Sequence, residues 1–234
     1  MRLFSFDSHA KSYSSFCEAQ TFFARSLVSA AAKEWGTYFG TILDLGCGSG
    51  EVLRQIHSHK IGFQEYIGCD LSQAMLDSFD PDPSVQHHTT LLNSDFDTTL
   101  KLIKYADLII SSSALQWSPD LEHTLHLIAQ YSSKIALSIM TSETLKTFHH
   151  FLDSTSPLPD PARILKSLEH FFDGEIKTLE ITLSFQDNPS LIAHLRGTGI
   201  MGGGVLSYHQ AKKILKYQGD LNYQSLLFVG KSKK

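Results

Sequence analysis

Seven consecutive residues, Asp44-Leu45-Gly46-Cys47-Gly48-Ser49-Gly50, follow the apolar run Thr41-Ile42-Leu43 and lead into a segment of helical character. Glycine lets the backbone turn sharply and approach a ligand with no Cβ in the way. A loop that opens a helix also presents backbone N–H groups to a carboxylate or phosphate. The spacing here is Gly46-x-Gly48-x-Gly50 after an acidic residue, whereas the dinucleotide fingerprint needs Gly-x-Gly-x-x-Gly. Asp70 stands 24 residues after Gly46, at the end of the next apolar run, with Leu71 and Met75 beside it. A carboxylate in that place accepts the hydroxyls of a ribose. Asp95-Phe96 follows a third, weaker run; there an acidic side chain meets an adenine amino group and an aromatic ring covers the base.

These residues need a scaffold that brings the ends of several strands together. Phe16, Ala19, Phe23, Leu27, Ala30 and Ala31 recur at helical spacing and predict a helix over 15–34. Strands are expected at 41–45, 65–70, 88–92, 106–111 and 134–140, with helices at 51–59, 72–79 and 120–131 between them. Ser72 and Asp120 are suited to cap two of these helices. Alternation of this kind predicts an α/β fold with a parallel sheet and right-handed crossovers. Further on, helices are expected at 142–153, 160–171, 189–196 and 208–217, with strands at 175–185 and 222–230 closing the sheet as an antiparallel pair. The expected organisation is one domain over 1–234. It comprises an N-terminal helical segment (1–40), a cofactor-binding half (41–140), and a lid with closing strands (141–234).

Composition narrows the function. The 234 residues are 42% hydrophobic and 19% charged, with a formal net charge of −4, a globular profile without the basic surface that nucleic acid or anionic lipid attracts. No apolar run approaches the roughly 18 residues that span a bilayer, and Met1–Asp7 lacks the apolar core of a signal peptide. A cytoplasmic location is expected. Cys17, Cys47 and Cys69 are odd in number and too widely spaced for a disulfide framework or zinc site; Cys47 and Cys69 lie beside apolar strands, where buried free thiols are ordinary, and the paired histidines, such as His87/His88 and His149/His150, lack metal-ligand spacing. No metal is expected.

The ordered series of glycine loop, Asp70 and Asp95-Phe96 resembles the class I S-adenosylmethionine-dependent methyltransferases, with a Rossmann-like, mostly parallel seven-stranded sheet. Further segments narrow the resemblance: Phe6-x3-Ala10-x2-Tyr13-x6-Gln20, Ser111-Ser112-Ser113-Ala114-Leu115-Gln116-Trp117, Thr144-Leu145-Lys146-x-Phe148 and His194-Leu195-Arg196-Gly197-Thr198-Gly199. Together they resemble the malonyl-acyl-carrier-protein O-methyltransferases of biotin synthesis over almost the whole chain. The chain departs from that family at Ser111-Ser112, where Ser-Asn is usual, at Ser142-Glu143, where Gly-Pro is frequent, and at Gly199-Ile200-Met201, where Gly-Ala-Thr is usual.

The resemblance implies S-adenosylmethionine as cofactor, held by Tyr13, Gln20, Asp44, Gly46, Gly48, Gly50, Asp70, Leu71, Met75, Asp95, Phe96, Ser111 and Gln116. It implies a malonyl thioester on acyl carrier protein as substrate. Its free carboxylate is ionised at neutral pH and needs no general base, only orientation and removal of water. Arginine orients a carboxylate bidentately, and of Arg2, Arg25, Arg54, Arg163 and Arg196, Arg196 lies in a family-like segment. Tyr13 and Trp117 are expected to wall the methyl pocket, where aromatic faces suit a sulfonium. An acidic carrier protein needs a local positive face; Lys212, Lys213 and Lys216 on one expected helix are the candidates, with Arg163 and Lys166 a second pair. The competing readings are another small-molecule methyltransferase of the same fold and a non-catalytic cofactor-binding regulator.

Overall fold

The computed structural model describes residues 17–83, 85–103, 105–198, 200 and 207–233. Tyr13, and with it Phe6 and Ala10, lies outside the described residues. In chain order the elements are α1 (Glu18–Trp35), β1 (Tyr38–Leu45), α2 (Glu51–Ser58), β2 (Gly62–Asp70), α3 (Gln73–Asp77), β3 (Thr89–Asn93), α4 (Phe96–Ile103), β4 (Leu108–Ser112), α5 (Leu121–Tyr131) and β5 (Lys134–Met140). They are followed by α6 (Lys146–Phe151), α7 (Pro161–Phe171), β6 (Phe172–Leu183), α8 (Asn188–Thr198), α9 (Tyr208–Ile214) and β7 (Leu221–Ser232). Short 3-10 turns at Gln86–His88 and Leu115–Trp117 join them.

The seven strands form one sheet in the order β3-β2-β1-β4-β5-β7-β6. β1 to β5 pair in parallel, and β7 runs antiparallel to both β5 and β6. This is the mostly parallel α/β sheet with the antiparallel closing pair that the sequence predicts. The chain winds outward from β1 to β3 and then crosses back to β4, so the order reverses between β1 and β4. In such sheets ligands bind at the strand carboxyl ends at that reversal.

Alternation along each strand divides the core. In β1, Leu43 and Leu45 face one way, packed with Ile109, Leu137 and the buried sides of α5 and α7. Ile42 faces the other way, into a cluster with Tyr66, Ile110, Ala24, Leu27, Val52 and Leu53 beneath α1 and α2. A third cluster, built on Phe23, Met140, Phe148, Leu191, Leu195 and Tyr223, joins the start of α1 to α6, α8 and α9. Buried aliphatic and aromatic side chains each stabilise by about 1.5–3 kcal/mol, so the three clusters fix the strand ends firmly.

The boundaries differ from expectation in three places. α4 follows Asp95 directly and is not read from the sequence. Its apolar face is short, with Thr99 and Leu100 buried. The helix expected over 142–153 is confined to Lys146–Phe151, because Thr144 and Leu145 are tied to β7: Thr144 Oγ1 donates to Gln224 O at 2.9 Å and Leu145 N–H to Asn222 O at 2.7 Å. The helix expected over 208–217 stops at Ile214.

Candidate functional site

The glycine loop occupies the reversal point. Gly46, Gly48 and Gly50 have φ of 77°, 52° and 92°, the left-handed region that L side chains resist. A Cβ on Gly46 would stand 2.2 Å from Ala114 Cβ and 3.4 Å from the Phe96 ring. Ala114 in the loop after β4 and Phe96 after β3 therefore close on the loop from both sides. The turn is anchored by Gly46 N–H and Cys47 N–H, which donate to Cys69 O at 2.8 and 2.9 Å.

Asp70 is tied to the same loop. Its Oδ2 accepts from Gly48 N–H at 3.0 Å and its Oδ1 from Ser72 N–H at 2.8 Å. These bonds aim the carboxylate at the loop. Ser72 caps α3, as the sequence predicts, by accepting from Met75 N–H. Leu71 is 58% exposed although its neighbour Ser72 is buried, an apolar face beside the carboxylate. Met75 is buried, with its Cε 3.2 Å from where a Gly48 Cβ would lie. Asn93 Nδ2 donates to both Asp70 O and Leu71 O at 3.0 Å, holding this turn to the end of β3.

Asp44 is fully buried. Its Oδ2 accepts the hydroxyl of Tyr66, and its Oδ1 meets no donor among the described residues. Burial pushes its carboxyl up to about 7, with the Asp70 charge acting in the same direction. Gln20, also buried, has its Oε1 without a partner among the described residues. It lies one helical turn before Ala24, which packs against Ile42 and Ile110, and Asp44 lies two residues beyond Ile42. Both acceptors therefore stand on the α1 side of the sheet near the glycine loop. Ser112 Oγ and Ser113 Oγ, at the end of β4, are buried and unpartnered in the same sense. Orphaned buried polar atoms are uncommon in folded proteins, and these four belong to segments that meet at the sheet reversal. Together with the glycine cradle they fit a polar ligand carrying donors and a cationic end.

Three of the residues expected to touch the cofactor already carry hydrogen bonds within the fold. Ser111 is buried and its hydroxyl donates to Leu45 O at 2.7 Å, which ties β4 to β1. Gln116 is held by the fold at both ends of its amide: Nε2 donates to Ser113 O at 2.6 Å and Oε1 accepts from Met140 N–H at 3.4 Å. It shapes the turn that carries Trp117, whose ring packs against the third cluster. Asp95 caps α4, accepting from Thr98 N–H and Thr98 Oγ1, both at 2.8 Å, and these bonds, the backbone one first, hold its carboxyl below the usual range. Any adenine contact must use lone pairs that the cap leaves over.

Arg196 lies on the exposed side of α8, while Leu191, His194 and Leu195 are buried. Beside it His194 is fixed in the interior, Nε2 to Tyr223 Oη at 2.7 Å, and burial lowers its imidazole to about 4. Sequence reasoning missed Tyr66, Ala114, Phe79 and Asn93. Tyr66 was legible only from strand register, since Asp44 pairs with Gly68 and Tyr66 is two residues earlier on the same face. Phe79 packs 3.0 Å from where a Gly50 Cβ would lie. A separate surface hollow of about 500 Å³, lined by Arg54, His57, Asp80 and Asp82, shares only Gly50 with the loop. No helix among the described residues is long and apolar enough to cross a membrane.

Residues 42–133 match the family model described as a methyltransferase domain. The malonyl-[acyl-carrier protein] O-methyltransferase of Chlorobium luteolum is 27% identical over 198 residues, covering 81% of this chain and 74% of that protein. The YcgJ protein of Bacillus subtilis has the same fold, with a TM-score of 0.64 at 11% identity over 89% of this chain and 99% of that one. The plantazolicin methyltransferase BpumL, solved with a monoazolic desmethylPZN analog and SAH, aligns at a TM-score of 0.50 and 13% identity, over 97% of this chain and 88% of that one. The matched domain is the part of the chain that carries the glycine loop, Asp70 and Phe96, and the chain is a methyltransferase with S-adenosylmethionine as its cofactor.

Proposed function

We propose that the chain methylates the free carboxylate of a malonyl thioester borne by acyl carrier protein, an early step of biotin synthesis. One observation carries this reading. The likeness to the Chlorobium luteolum protein runs over 198 residues, well beyond the 42–133 methyltransferase domain, and so enters segments outside the cofactor half.

The chemistry agrees with the site. S-adenosylmethionine supplies a methyl group on a sulfonium. Asp70 would receive the ribose hydroxyls, Leu71 and Phe96 would cover the adenine, and Gly46, Gly48 and Gly50 would let the backbone approach. Met75, Gln20 and Asp44 would bound the amino-acid end, and Asp95 would meet the adenine amino group. A malonyl carboxylate is ionised at neutral pH, so no group need accept a proton. Near the loop Asp70 accepts from Gly48 and Ser72 N–H and Asp44 accepts from the Tyr66 hydroxyl. Arg196, exposed on α8, would orient the carboxylate bidentately, with Tyr13 and Trp117 walling the methyl path. Charge is neutralised as the methyl moves, so a dry pocket favours the transition state over the separated ions.

The carrier protein would dock beside α9. Lys212 and Lys216 are exposed, and Lys212 Nζ lies 4.5 Å from the Tyr208 ring centroid. Lys213 is already paired with Asp153, and α9 ends before Lys216, so the docking face reduces to Lys212 and Lys216. Arg163 and Lys166, both exposed on α7, form the second pair. The deciding experiment incubates malonyl-acyl carrier protein with the enzyme and S-adenosylmethionine and weighs the product. One added methyl per carrier protein is expected; an unchanged mass would overturn the substrate assignment.

A further inference from the structure

Among the described residues, the carboxyl of Asp44 is enclosed by groups that do not offset its charge. Tyr66 and Cys69 from β2 and Cys47 from the loop are all held neutral by burial. Asp70, at the end of β2, is the charged neighbour and is itself anionic. β4 brings no titratable side chain within Leu108–Ser112, and the buried face of α1 brings Gln20, Ala24 and Leu27. Glu51 and Arg54, at the opening of α2, are paired with each other at 2.9 Å. A buried carboxylate with one oxygen unpartnered among the described residues, in such surroundings, favours its protonated form.

We infer that binding of S-adenosylmethionine expels the proton of Asp44 into solvent, the cofactor's α-ammonium taking its place beside Oδ1. This rests on the reading of the glycine loop as the cofactor's cradle. The exchange balances: a neutral carboxylic acid and a cationic ligand become an ion pair plus one proton delivered to the buffer. The product S-adenosylhomocysteine carries the same ammonium, so it should release the same proton without turnover. Below about pH 7 affinity should rise roughly tenfold per pH unit, and above it should level off. Tyr66 is the positioning residue, since its hydroxyl holds Oδ2 and leaves Oδ1 open.

Isothermal titration of the full chain with S-adenosylhomocysteine, at about pH 6 in two buffers of unlike ionisation heat, reads the proton directly. The expected result is a heat that differs by nearly one buffer ionisation. Infrared difference spectra should lose the carbonyl stretch of a protonated carboxylic acid on binding. Asp44→Asn should abolish both signals and flatten the pH dependence of affinity. Tyr66→Phe removes a donor that favours the ionised form and should move the proton-release window to higher pH, a readout that stands even where Asp44→Asn fails to fold. Buffer-independent binding heat in the unmodified protein would overturn the inference and leave the cradle intact, and so would proton release that persists in Asp44→Asn. Absence of binding at every pH would overturn the cradle reading together with the inference.

Discussion

Replacing Asp44 by Asn should stabilise the ligand-free protein at neutral pH while weakening its hold on the cofactor. The Asp44 carboxyl is pushed up to about 7 from an ordinary 3.8, chiefly by burial. Below about pH 4 both folded and unfolded chains hold the proton, and the group contributes nothing to the pH dependence. Between about pH 4 and 7 the unfolded chain gives up the proton and the folded chain keeps it. Folded-state stability therefore falls as pH rises, by about 1.4 kcal/mol per unit. Above about 7 both states are ionised and the full penalty, about 4 kcal/mol, stays constant. The side chain is fully buried, so solvent screening does not reduce it much. Asparagine occupies nearly the same volume, still accepts the Tyr66 hydroxyl and carries no charge. Urea unfolding of ligand-free wild-type and Asp44→Asn protein at several pH values between 5 and 8 checks the argument. The advantage of the variant should grow by about 3 kcal/mol across that range, or roughly 10 °C in melting temperature for a chain of this size. A difference that stays flat with pH would refute the buried, protonated state of Asp44.

Four further outcomes follow from the same geometry. Gly46→Ala must place a methyl 2.2 Å from Ala114 Cβ at a φ of 77°, so it should cost about 2 kcal/mol or more of stability and abolish cofactor binding, as thermal shift with and without S-adenosylhomocysteine will show. Asp70→Ala removes both the acceptor of Gly48 N–H and the proposed ribose contact, and should weaken cofactor affinity by roughly 1–3 kcal/mol in a direct titration. Arg196→Ala should lower kcat/KM for the malonyl thioester while cofactor affinity holds, and Arg196→Lys should restore it only in part, since a point charge cannot bind bidentately. Lys212→Glu with Lys216→Glu should raise KM for malonyl-carrier protein and leave a small malonyl thioester unaffected. The wild-type advantage should fade with salt as the Debye length falls below about 10 Å.

Local chemistry made much of this protein readable before folding was considered. Three glycines spaced two apart after Asp44 required a tight, side-chain-free turn, and the structure places all three at positive φ. Ser72 and Asp120 declared themselves as helix caps because a short polar side chain satisfies free N–H groups wherever a helix starts. Strand alternation, as in Ile42 to Leu45, encoded two buried faces and hence a sheet covered on both sides. All of these signals act over a few residues, so the sequence carries them whole.

What the sequence left open depends on partners distant in the chain. Nothing local announces that Ser111 and Gln116 hydrogen-bond to Leu45, 66 residues from Ser111, and to Met140, 24 residues from Gln116. Lys213 belongs to a basic run in sequence and to Asp153 in space. Asp44 gives the same lesson in reverse. Its place in the motif is plain from the sequence, but its protonation is set by Tyr66, Asp70 and the cover of α1, which close round it only once the sheet is assembled. A carboxyl's proton affinity depends on the dielectric and charges within a few ångströms, and those neighbours are chosen by strand register and helix packing rather than by adjacency in the chain.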